Sequence, residues 1–308
     1  MTEQSVWIVA GEDSGDLHGA NLARALKGLR PDLVLRGLGG PLMRAAGVEL
    51  DADLTAHAAT GLVEVLGKLP FFLRTMRAAV ASIRREKPAA VVLIDFPDFN
   101  LRLAKKIGKE VPVVYYIAPQ LWAWRPKRIE TIREFVRRVL VIFPFEEKFY
   151  RDQGVDAAFV GHPLVEHLAA EKPADLKREL GLDPAASCVG LLPGSRASEF
   201  NHHAELFAQA ARILRGRRPG LSFLLSVARS APADAEARFK GIPGLVCVRG
   251  RGREILRSCQ AAIVASGTAT VEAMLIGCPF VMAYRMSPLT YRTLKRMVKL
   301  DRFAMPNI

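Results

Sequence analysis

Two aspartates, Asp95 and Asp98, closely follow the apolar residues 89–93, and Pro97 bends the chain between them. In an open α/β sheet, the carboxyl ends of parallel strands line the ligand crevice. A carboxylate buried at such a strand end is costly unless it is used, so this position favours chemistry over a structural role. One of the two aspartates could instead cap the helix that begins near Phe99.

A second group of residues has the features of a phosphate site. Residues 262–272 read as a buried strand, a tight turn and a helix, and the turn contains Ser266, Gly267 and Thr268. Gly267 would let a phosphate approach the free backbone N–H groups of the helix start, and the two hydroxyls add donors. Glu272 in the first turns could bind ribose hydroxyls. An ordinary Ser or Thr N-cap is the alternative.

The turn that contains Gly194, Ser195 and Arg196 repeats this pattern with a guanidinium, which can bind a diphosphate in a bidentate way. Neither turn is a Walker A sequence, and no G-x-G-x-x-G follows the first predicted strand. The two turns therefore favour a nucleotide-sugar enzyme over a kinase or an NAD enzyme.

No metal ion or other cofactor is predicted. Asp51 and Asp53 form the only D-x-D pair, which we interpret as a solvated turn in a polar loop. None of the six histidines has metal-ligand partners at helical spacing.

Aromatic residues are concentrated in residues 115–125, which hold two of the three tryptophans, Trp122 and Trp124, and two of the five tyrosines. Such density after a strand is typical of a binding surface. Packing of both tryptophans in the domain core is the alternative.

Residues 62–76 are apolar beyond one narrow face and are edged by arginines, which suits a segment lying in a membrane interface. The residues expected to contact the membrane are Leu66, Leu69, Phe71, Phe72 and Met76. A core helix with an exposed basic side is the alternative.

These residues must be positioned by a regular alternation of short strands and amphipathic helices. Strand-like runs occur at residues 6–10, 34–38, 90–94, 111–117, 139–143 and 157–160, and again at 188–192, 221–227, 245–248, 261–265 and 279–284. The pattern predicts an α/β fold with two doubly wound, Rossmann-like domains facing across a cleft, the GT-B architecture. We predict domains over residues 1–165 and 185–308, with a linker at about 165–185.

The composition favours an anionic partner. Forty-four Lys and Arg against 31 Asp and Glu give a net charge of +13, which attracts nucleotide phosphates or anionic lipid. Nucleic acid is not expected, because the basic residues are dispersed and no nucleic-acid-binding motif accompanies them.

No apolar stretch reaches the roughly 18 residues needed to span a bilayer, and the four cysteines lack C-x-x-C spacing. We expect a cytoplasmic protein, soluble or peripheral.

Taken together in chain order, the motifs resemble lipid-A-disaccharide synthase, a family of bacterial glycosyltransferases. The matching pieces are residues 11–16, 95–100, 119 with 122–125, 143–146, 161–163, 192–196, 266–268 and 306–307. The ordered set spans nearly the whole chain.

The resemblance implies an inverting, metal-independent transferase of lipid A (lipopolysaccharide) biosynthesis. Its donor would be UDP-2,3-diacylglucosamine and its acceptor 2,3-diacylglucosamine 1-phosphate. The products would be a β(1→6) disaccharide 1-phosphate and UDP. Because both substrates are lipids, the enzyme would work peripherally at the cytoplasmic face of the inner membrane.

The resemblance also implies roles for individual residues. It makes Asp98 the general base on the acceptor 6-hydroxyl, with Asp95 or Asp16 as the next candidate, and places Arg196 on the donor diphosphate and Asn307 near the cleft. The residues expected on the acceptor side of the cleft are Ser14, Gly15, Asp16, Asp95, Asn100, Trp122 and Trp124.

Two other functions remain open at this point. A UDP-sugar 2-epimerase shares the two-domain architecture but needs no surface for acyl chains. A nonenzymatic nucleotide-sugar-binding remnant is suggested by the end of the chain at residues 305–308, where we expect a C-terminal truncation relative to the family.

Overall fold

A computed structural model describes residues 4–57, 62–123, 125–171, 175–194, 197–228 and 231–285. The chain divides into two compact units, Met1–Pro163 (unit 1) and Leu164–Ile308 (unit 2). Each unit is built around a parallel β-sheet with helices in the crossover connections.

Unit 1 has a seven-stranded sheet with the order β3-β2-β1-β4-β5-β6-β7. Its elements are β1 (Ser5–Ala10), α1 (Asp13–Leu29), β2 (Val34–Gly39), α2 (Pro41–Ala45), β3 (Glu49–Asp53), α3 (Leu62–Glu86), β4 (Ala90–Ile94), α4 (Pro97–Ile107), β5 (Val113–Tyr116), α5 (Ile129–Phe135), β6 (Arg138–Val141), α6 (Pro144–Asp152) and β7 (Ala157–Phe159), with short 3-10 helices at Thr55–His57 and Pro126–Arg128.

Both faces of this sheet are buried, as expected for parallel strands. Because successive side chains of a strand point to opposite faces, Trp7 and Val9 of β1 belong to one core cluster and Ile8 and Ala10 to the other. The first cluster includes residues of α3 to α6, and the second includes residues of α1 and α2.

Unit 2 has a five-stranded sheet with the order β10-β9-β8-β11-β12. Its elements are α7 (Pro163–Ala170, beginning at the unit boundary), α8 (Leu176–Glu179), β8 (Cys188–Leu192), α9 (Ala197–Arg217), β9 (Ser222–Val227), β10 (Leu245–Arg249), α10 (Gly252–Ser258), β11 (Ala261–Ala265), α11 (Thr268–Ile276) and β12 (Phe280–Ala283), with a 3-10 helix at Ala237–Phe239.

The predicted fold class of two parallel-sheet α/β domains is confirmed, and β4, β8 and β11 coincide with predicted strands. The residues predicted as a linker form α7 and α8, and they lie in unit 2. Within unit 2, Glu171 from this segment is bound by Arg253 and Arg257.

One structural prediction is wrong. Asp51 and Asp53 do not form a solvated turn but belong to the edge strand β3, paired with β2. The acidic strand is compensated by Arg36 of β2, whose guanidinium lies 3.2 Å from Asp51 Oδ1 and 3.7 Å from Glu49 Oε2.

Candidate functional site

A cavity of about 500 Å³ in unit 2 is formed by the loops that follow β8, β9, β10 and β11. This is the carboxyl edge of the sheet, where ligands bind in doubly wound folds. Its lining includes glycine and small polar residues, among them Gly194, Ser226, Gly250, Gly252, Ser266, Gly267 and Thr268, with Glu199 and Glu272 as the carboxylates. Five of the predicted donor-binding residues therefore line one cavity: Gly194, Ser266, Gly267, Thr268 and Glu272.

Gly267 gives the turn after β11 its shape. It has φ 148°, which side chains with a Cβ rarely adopt, and a Cβ built there would meet nothing within 4 Å. The residue is the N-cap of α11, and its carbonyl accepts a 2.8 Å hydrogen bond from Thr270 Oγ1. The first backbone N–H groups of a helix lack partners within the helix, so this turn is suited to hold an anion.

The turn after β8 approaches the same cavity. Gly194 has φ 125°, and a Cβ there would lie 2.8 Å from Glu199 Cβ, so glycine is required for both its backbone and its surroundings. The preceding carbonyl, that of Pro193, is hydrogen-bonded to Nδ1 of the buried His203 at 2.7 Å. Ser195 and Arg196, predicted on the diphosphate, lie outside the described residues, as does Asn307.

Glu272 has a guanidinium partner in the structure. Its Oε1 lies 2.7 Å from Arg253 Nε, and the glutamate side chain is only 17 % exposed. Arg253 in turn binds Glu171. Glu272, predicted to bind the ribose, is thus a largely buried carboxylate at the cavity wall, and one of its oxygens is already bound by Arg253.

In unit 1, Asp95 directly follows β4 and lies beside the end of β1, because Ala10 and Ile94 are partners in the parallel ladder. Its backbone is left-handed, with φ 44°. The Asp95 carbonyl accepts hydrogen bonds from Asn100 Nδ2 and Tyr115 Oη, both at 2.7 Å. Asn100 therefore fixes the loop from within the core.

The surroundings of the Asp95 carboxylate destabilise its charge. Burial is the main cause, and the nearby Glu12 carboxylate adds to it, so that the pKa of Asp95 is raised to about 6 even though a backbone hydrogen bond at Phe96 opposes the shift. A carboxylate with a pKa near neutrality is suited to accept a proton at physiological pH.

Asp98 has different surroundings. It lies in the first turn of α4, its side chain is 61 % exposed, and its Oδ1 accepts hydrogen bonds from both Arg125 (3.0 Å) and Arg128. Two guanidinium groups therefore share one carboxylate oxygen of Asp98.

Asp16 is buried and serves the fold. Its carboxylate accepts hydrogen bonds from the backbone N–H groups of Gly40, Leu42 and Met43 at 2.9 to 3.0 Å, which holds the start of α2. Both carboxylate oxygens of Asp16 are used in this way. In the same first turn of α1, Ser14 is exposed and Gly15 is buried.

Trp122 is half-buried, and its Nε1 donates to Glu146 Oε1 at 3.1 Å while its ring packs edge-to-face on Phe145. Glu146 is itself buried. Burial raises the pKa of Glu146, against the lowering effect of the Trp122 hydrogen bond. These contacts anchor Trp122 in unit 1, and Trp124 lies outside the described residues.

The apolar segment predicted at the membrane is part of α3. Leu69 is 41 % exposed, and Leu73, one turn later, is 42 % exposed. Phe71 and Phe72 are partly buried against the core, and the side chain of Leu66 lies outside the described part. The prediction for Met76 is wrong, because this residue is buried in the unit 1 core and cannot contact a membrane there.

Several contacts of the site were not found from the sequence. Glu12 acts on Asp95 through space, Arg125 and Arg128 act on Asp98 from about 30 positions away, and Arg253 acts on Glu272. None of these pairings has a signal in the local sequence, since each joins separate elements. Within the part of the chain that the structure describes, no three side chains of His, Cys, Asp or Glu are grouped so as to hold a metal ion.

Comparison with known proteins identifies related sequences and folds. The lipid-A-disaccharide synthetase family model matches residues 6–308. A lipid-A-disaccharide synthase of Koribacter versatilis is 46 % identical over 309 residues, covering 98 % of this chain and 80 % of its own length.

Solved structures share the architecture at low sequence identity. UDP-GlcNAc 2-epimerase from Neisseria meningitidis, bound to UDP-GlcNAc, aligns with TM-score 0.62 and 10 % identity over 99 % of this chain and 88 % of that one. CalG4, the calicheamicin glycosyltransferase, aligns with TM-score 0.56 and 15 % identity over 96 % and 84 %. These likenesses show the GT-B type of fold.

Proposed function

Because the chain belongs to the lipid-A-disaccharide synthetase family, we propose that it joins two acylated glucosamines, with the cavity of unit 2 holding the UDP part of the donor. The observation that carries this proposal is the set of turns containing Gly194 and Ser266–Gly267–Thr268, which line one cavity at the carboxyl edge of the sheet. The donor is UDP-2,3-diacylglucosamine, and the acceptor is 2,3-diacylglucosamine 1-phosphate.

Unit 2 holds the leaving group. The backbone N–H groups at the start of α11 and the Ser266 and Thr268 hydroxyls bind diphosphate oxygens, and Glu272 accepts hydrogen bonds from ribose hydroxyls. Arg196, in the turn after Gly194, adds positive charge to the diphosphate as negative charge develops there. Asn307 completes the donor side.

Unit 1 supplies the base, and the observations favour Asp95 over Asp98 for this role. Asp95 is largely buried, has a pKa of about 6, and within the described residues is bound by no guanidinium. Asp98 shares its Oδ1 between Arg125 and Arg128, so its role is to order these arginines beside the loop.

The reaction is a direct displacement with inversion. Asp95 accepts the proton of the acceptor 6-hydroxyl as that oxygen forms a bond to C1 of the donor. The bond between C1 and the diphosphate oxygen breaks, its electron pair stays on the oxygen, and UDP leaves. The groups named here supply a base and charge stabilisation, which are the two requirements of this displacement.

We propose that the enzyme works at the cytoplasmic face of the inner membrane, where its lipid substrates lie. Leu69 and Leu73 of α3 are exposed on one helix face, and Arg74 and Arg77 next to them are exposed as well. Exposed apolar residues bordered by arginines suit an anionic membrane surface. Among the described helices, none has the length and apolarity needed to cross a bilayer.

The test is an assay of UDP release with both acylated sugars, followed by mass spectrometry of the lipid product. We expect one tetraacyl disaccharide 1-phosphate for each UDP released, and no product when either sugar is omitted. A chain that is folded and supplied with both lipids but forms no disaccharide would overturn the proposal.

Both alternatives predict no disaccharide in this assay. A UDP-sugar 2-epimerase would convert a UDP-sugar to its C2 epimer without an acceptor, and a nonenzymatic remnant would bind UDP without turnover. The family match over residues 6–308 does not favour either, and the likeness to the epimerase is one of fold.

A further inference from the structure

Arg253 joins two carboxylates that belong to separate parts of unit 2. Its Nε donates to Glu272 Oε1 of α11 at 2.7 Å, and its Nη1 donates to Glu171 Oε1, near the end of α7, at 2.5 Å. All three side chains are largely shielded, with exposed fractions of 24 %, 17 % and 29 %. Shielded ion pairs are screened less than surface pairs, so this arrangement holds its geometry in water.

Glu171 also has a second guanidinium partner. Arg257 donates to Glu171 Oε2 at 2.8 Å and to the carbonyl of Leu168 at 2.9 Å. The cluster of Arg253, Arg257, Glu171 and Glu272 thus contains two positive and two negative charges. Because its charge is balanced by carboxylates, Arg253 adds no net positive charge for the donor phosphates.

Glu272 is the member of the cluster that reaches a ligand site. It lines the cavity of about 500 Å³ described above and also a neighbouring cavity of about 630 Å³ that Arg253 lines. Arg253 engages Oε1, and among the described residues nothing binds Oε2. A free glutamate would sample many rotamers, whereas this one has a fixed direction and one acceptor oxygen left.

We propose that Arg253 is a positioning residue that directs Glu272 Oε2 toward the donor ribose and thereby sets the preference for ribonucleotides. The inference rests on the proposed function, in which Glu272 accepts hydrogen bonds from ribose hydroxyls. A ligand that lacks those hydroxyls leaves the shielded carboxylate without its partner, which is why the site rejects it.

The experiment measures the dissociation constants of UDP and 2′,3′-dideoxy-UDP by calorimetry. The wild-type chain should bind UDP about 10- to 100-fold more tightly than the dideoxy compound, as expected for a hydrogen bond to a charged acceptor. Arg253→Gln should reduce this ratio to about 3 or less, while Arg253→Lys, which keeps a charge near Glu272, should retain part of it. At saturating donor, kcat should change less than about twofold, because Arg253 does not touch the reacting atoms.

Arg257→Gln is the matched control. Arg257 binds Glu171 as Arg253 does, but among the described residues it does not bind Glu272. The Arg257→Gln variant should therefore keep the wild-type ratio of the two dissociation constants. Glu171→Gln should give an intermediate ratio, since it loosens Arg253 from one side only.

The outcomes separate this inference from the proposed function. A wild-type chain that does not distinguish the two nucleotides, or a Glu272→Gln variant that still does, removes Glu272 from the ribose and refutes that part of the proposed function. If Glu272→Gln abolishes the preference and Arg253→Gln keeps it, only the positioning role is overturned. If Arg253→Gln fails to fold, the Arg253→Lys and Glu171→Gln variants test the positioning role instead. A preference for UDP equal to that of the wild type in both variants overturns that role.

Discussion

The carboxylates of Asp95 and Asp98 are three residues apart in the chain and have opposite electrostatic surroundings. Asp95 is largely buried near Glu12, and its pKa is raised to about 6. Asp98 is 61 % exposed and accepts hydrogen bonds from Arg125 and Arg128. Two carboxylates placed in such different environments suit different tasks.

The first prediction concerns the base. Asp95→Asn should lower kcat by about 10²- to 10⁴-fold, the usual effect of removing a general base, while Asp98→Asn should lower it by less than about tenfold. In the wild type, kcat/KM should fall as the pH drops below about 6, because the protonated Asp95 cannot accept a proton. The measurement is the pH dependence of UDP release.

Asp98→Asn serves as the matched control, because it makes the same chemical change, carboxylate to amide, three residues away in the first turn of α4. Equal losses in the two variants would mean that the loop as a whole matters and that Asp95 has no separate role.

The second prediction concerns stability. The folded pKa of Asp95, about 6, is above the ordinary value of 3.8 for an aspartate, so ionisation at higher pH opposes folding. The penalty is absent below the unfolded pKa, grows as the pH rises, and is complete above about 6, where it is about 3 kcal/mol. Asn has no charge and tolerates the left-handed backbone at this position. Asp95→Asn should therefore be more stable than the wild type at pH 8, by up to this amount.

Urea unfolding at pH 8 and pH 4 tests this prediction, and the gain in free energy of unfolding should shrink several-fold at pH 4. A variant that is no more stable than the wild type at pH 8 would show that the Asp95 carboxylate is well solvated.

The third prediction concerns the turn before α11. Gly267→Ala forces a Cβ onto a backbone with φ 148°, so the turn should shift and UDP affinity should fall by roughly tenfold or more. Gly277→Ala is the control, because Gly277 (φ 78°) ends the same helix and lies away from the cavity lining. Both variants should lose about 1 kcal/mol of stability, but only the first should lose affinity in calorimetry. Equal affinities would argue against a phosphate at this turn.

Much of the fold was accessible from the sequence because parallel strands buried on both faces are continuous apolar runs, as in β4 and β8. Strand β3 was not predicted from the sequence, because three of its five residues are acidic and such residues are depleted in strands. Its stability depends on Arg36 of β2, which lies 13 or more positions away in the chain. A local pattern contains no information on such a partner.

Part of the candidate site was also predicted from the sequence. The turns at Gly194 and Gly267 follow strands, and their glycines are visible in the sequence, so both were found. The different surroundings of Asp95 and Asp98 were not predicted, because the burial and the arginines that create them come from other elements. For the same reason Asp16 matched a family motif while its carboxylate is used by the backbone of α2.

The fourth prediction concerns the membrane. Replacing both Leu69 and Leu73 by Glu removes two exposed apolar side chains of α3 and adds two negative charges. Binding to vesicles with anionic phospholipid should fall by about tenfold or more. Leu29→Glu is the control, because Leu29 of α1 is 80 % exposed but lies outside the apolar segment. Cosedimentation gives the bound fraction, and equal binding of the double variant and the wild type would place the membrane contact elsewhere.

The last prediction separates a structural carboxylate from a catalytic one. Asp16 accepts three backbone hydrogen bonds in a buried position, so Asp16→Asn replaces an acceptor oxygen with an N–H donor that faces other donors. The expected cost is about 2 to 3 kcal/mol in the free energy of unfolding. We expect Asp16 to act through the fold alone, so the folded fraction of the variant should keep the wild-type dependence of kcat/KM on pH. Thermal unfolding and the pH profile are measured on the same preparation. A stable Asp16→Asn protein without activity would instead make Asp16 part of the chemistry.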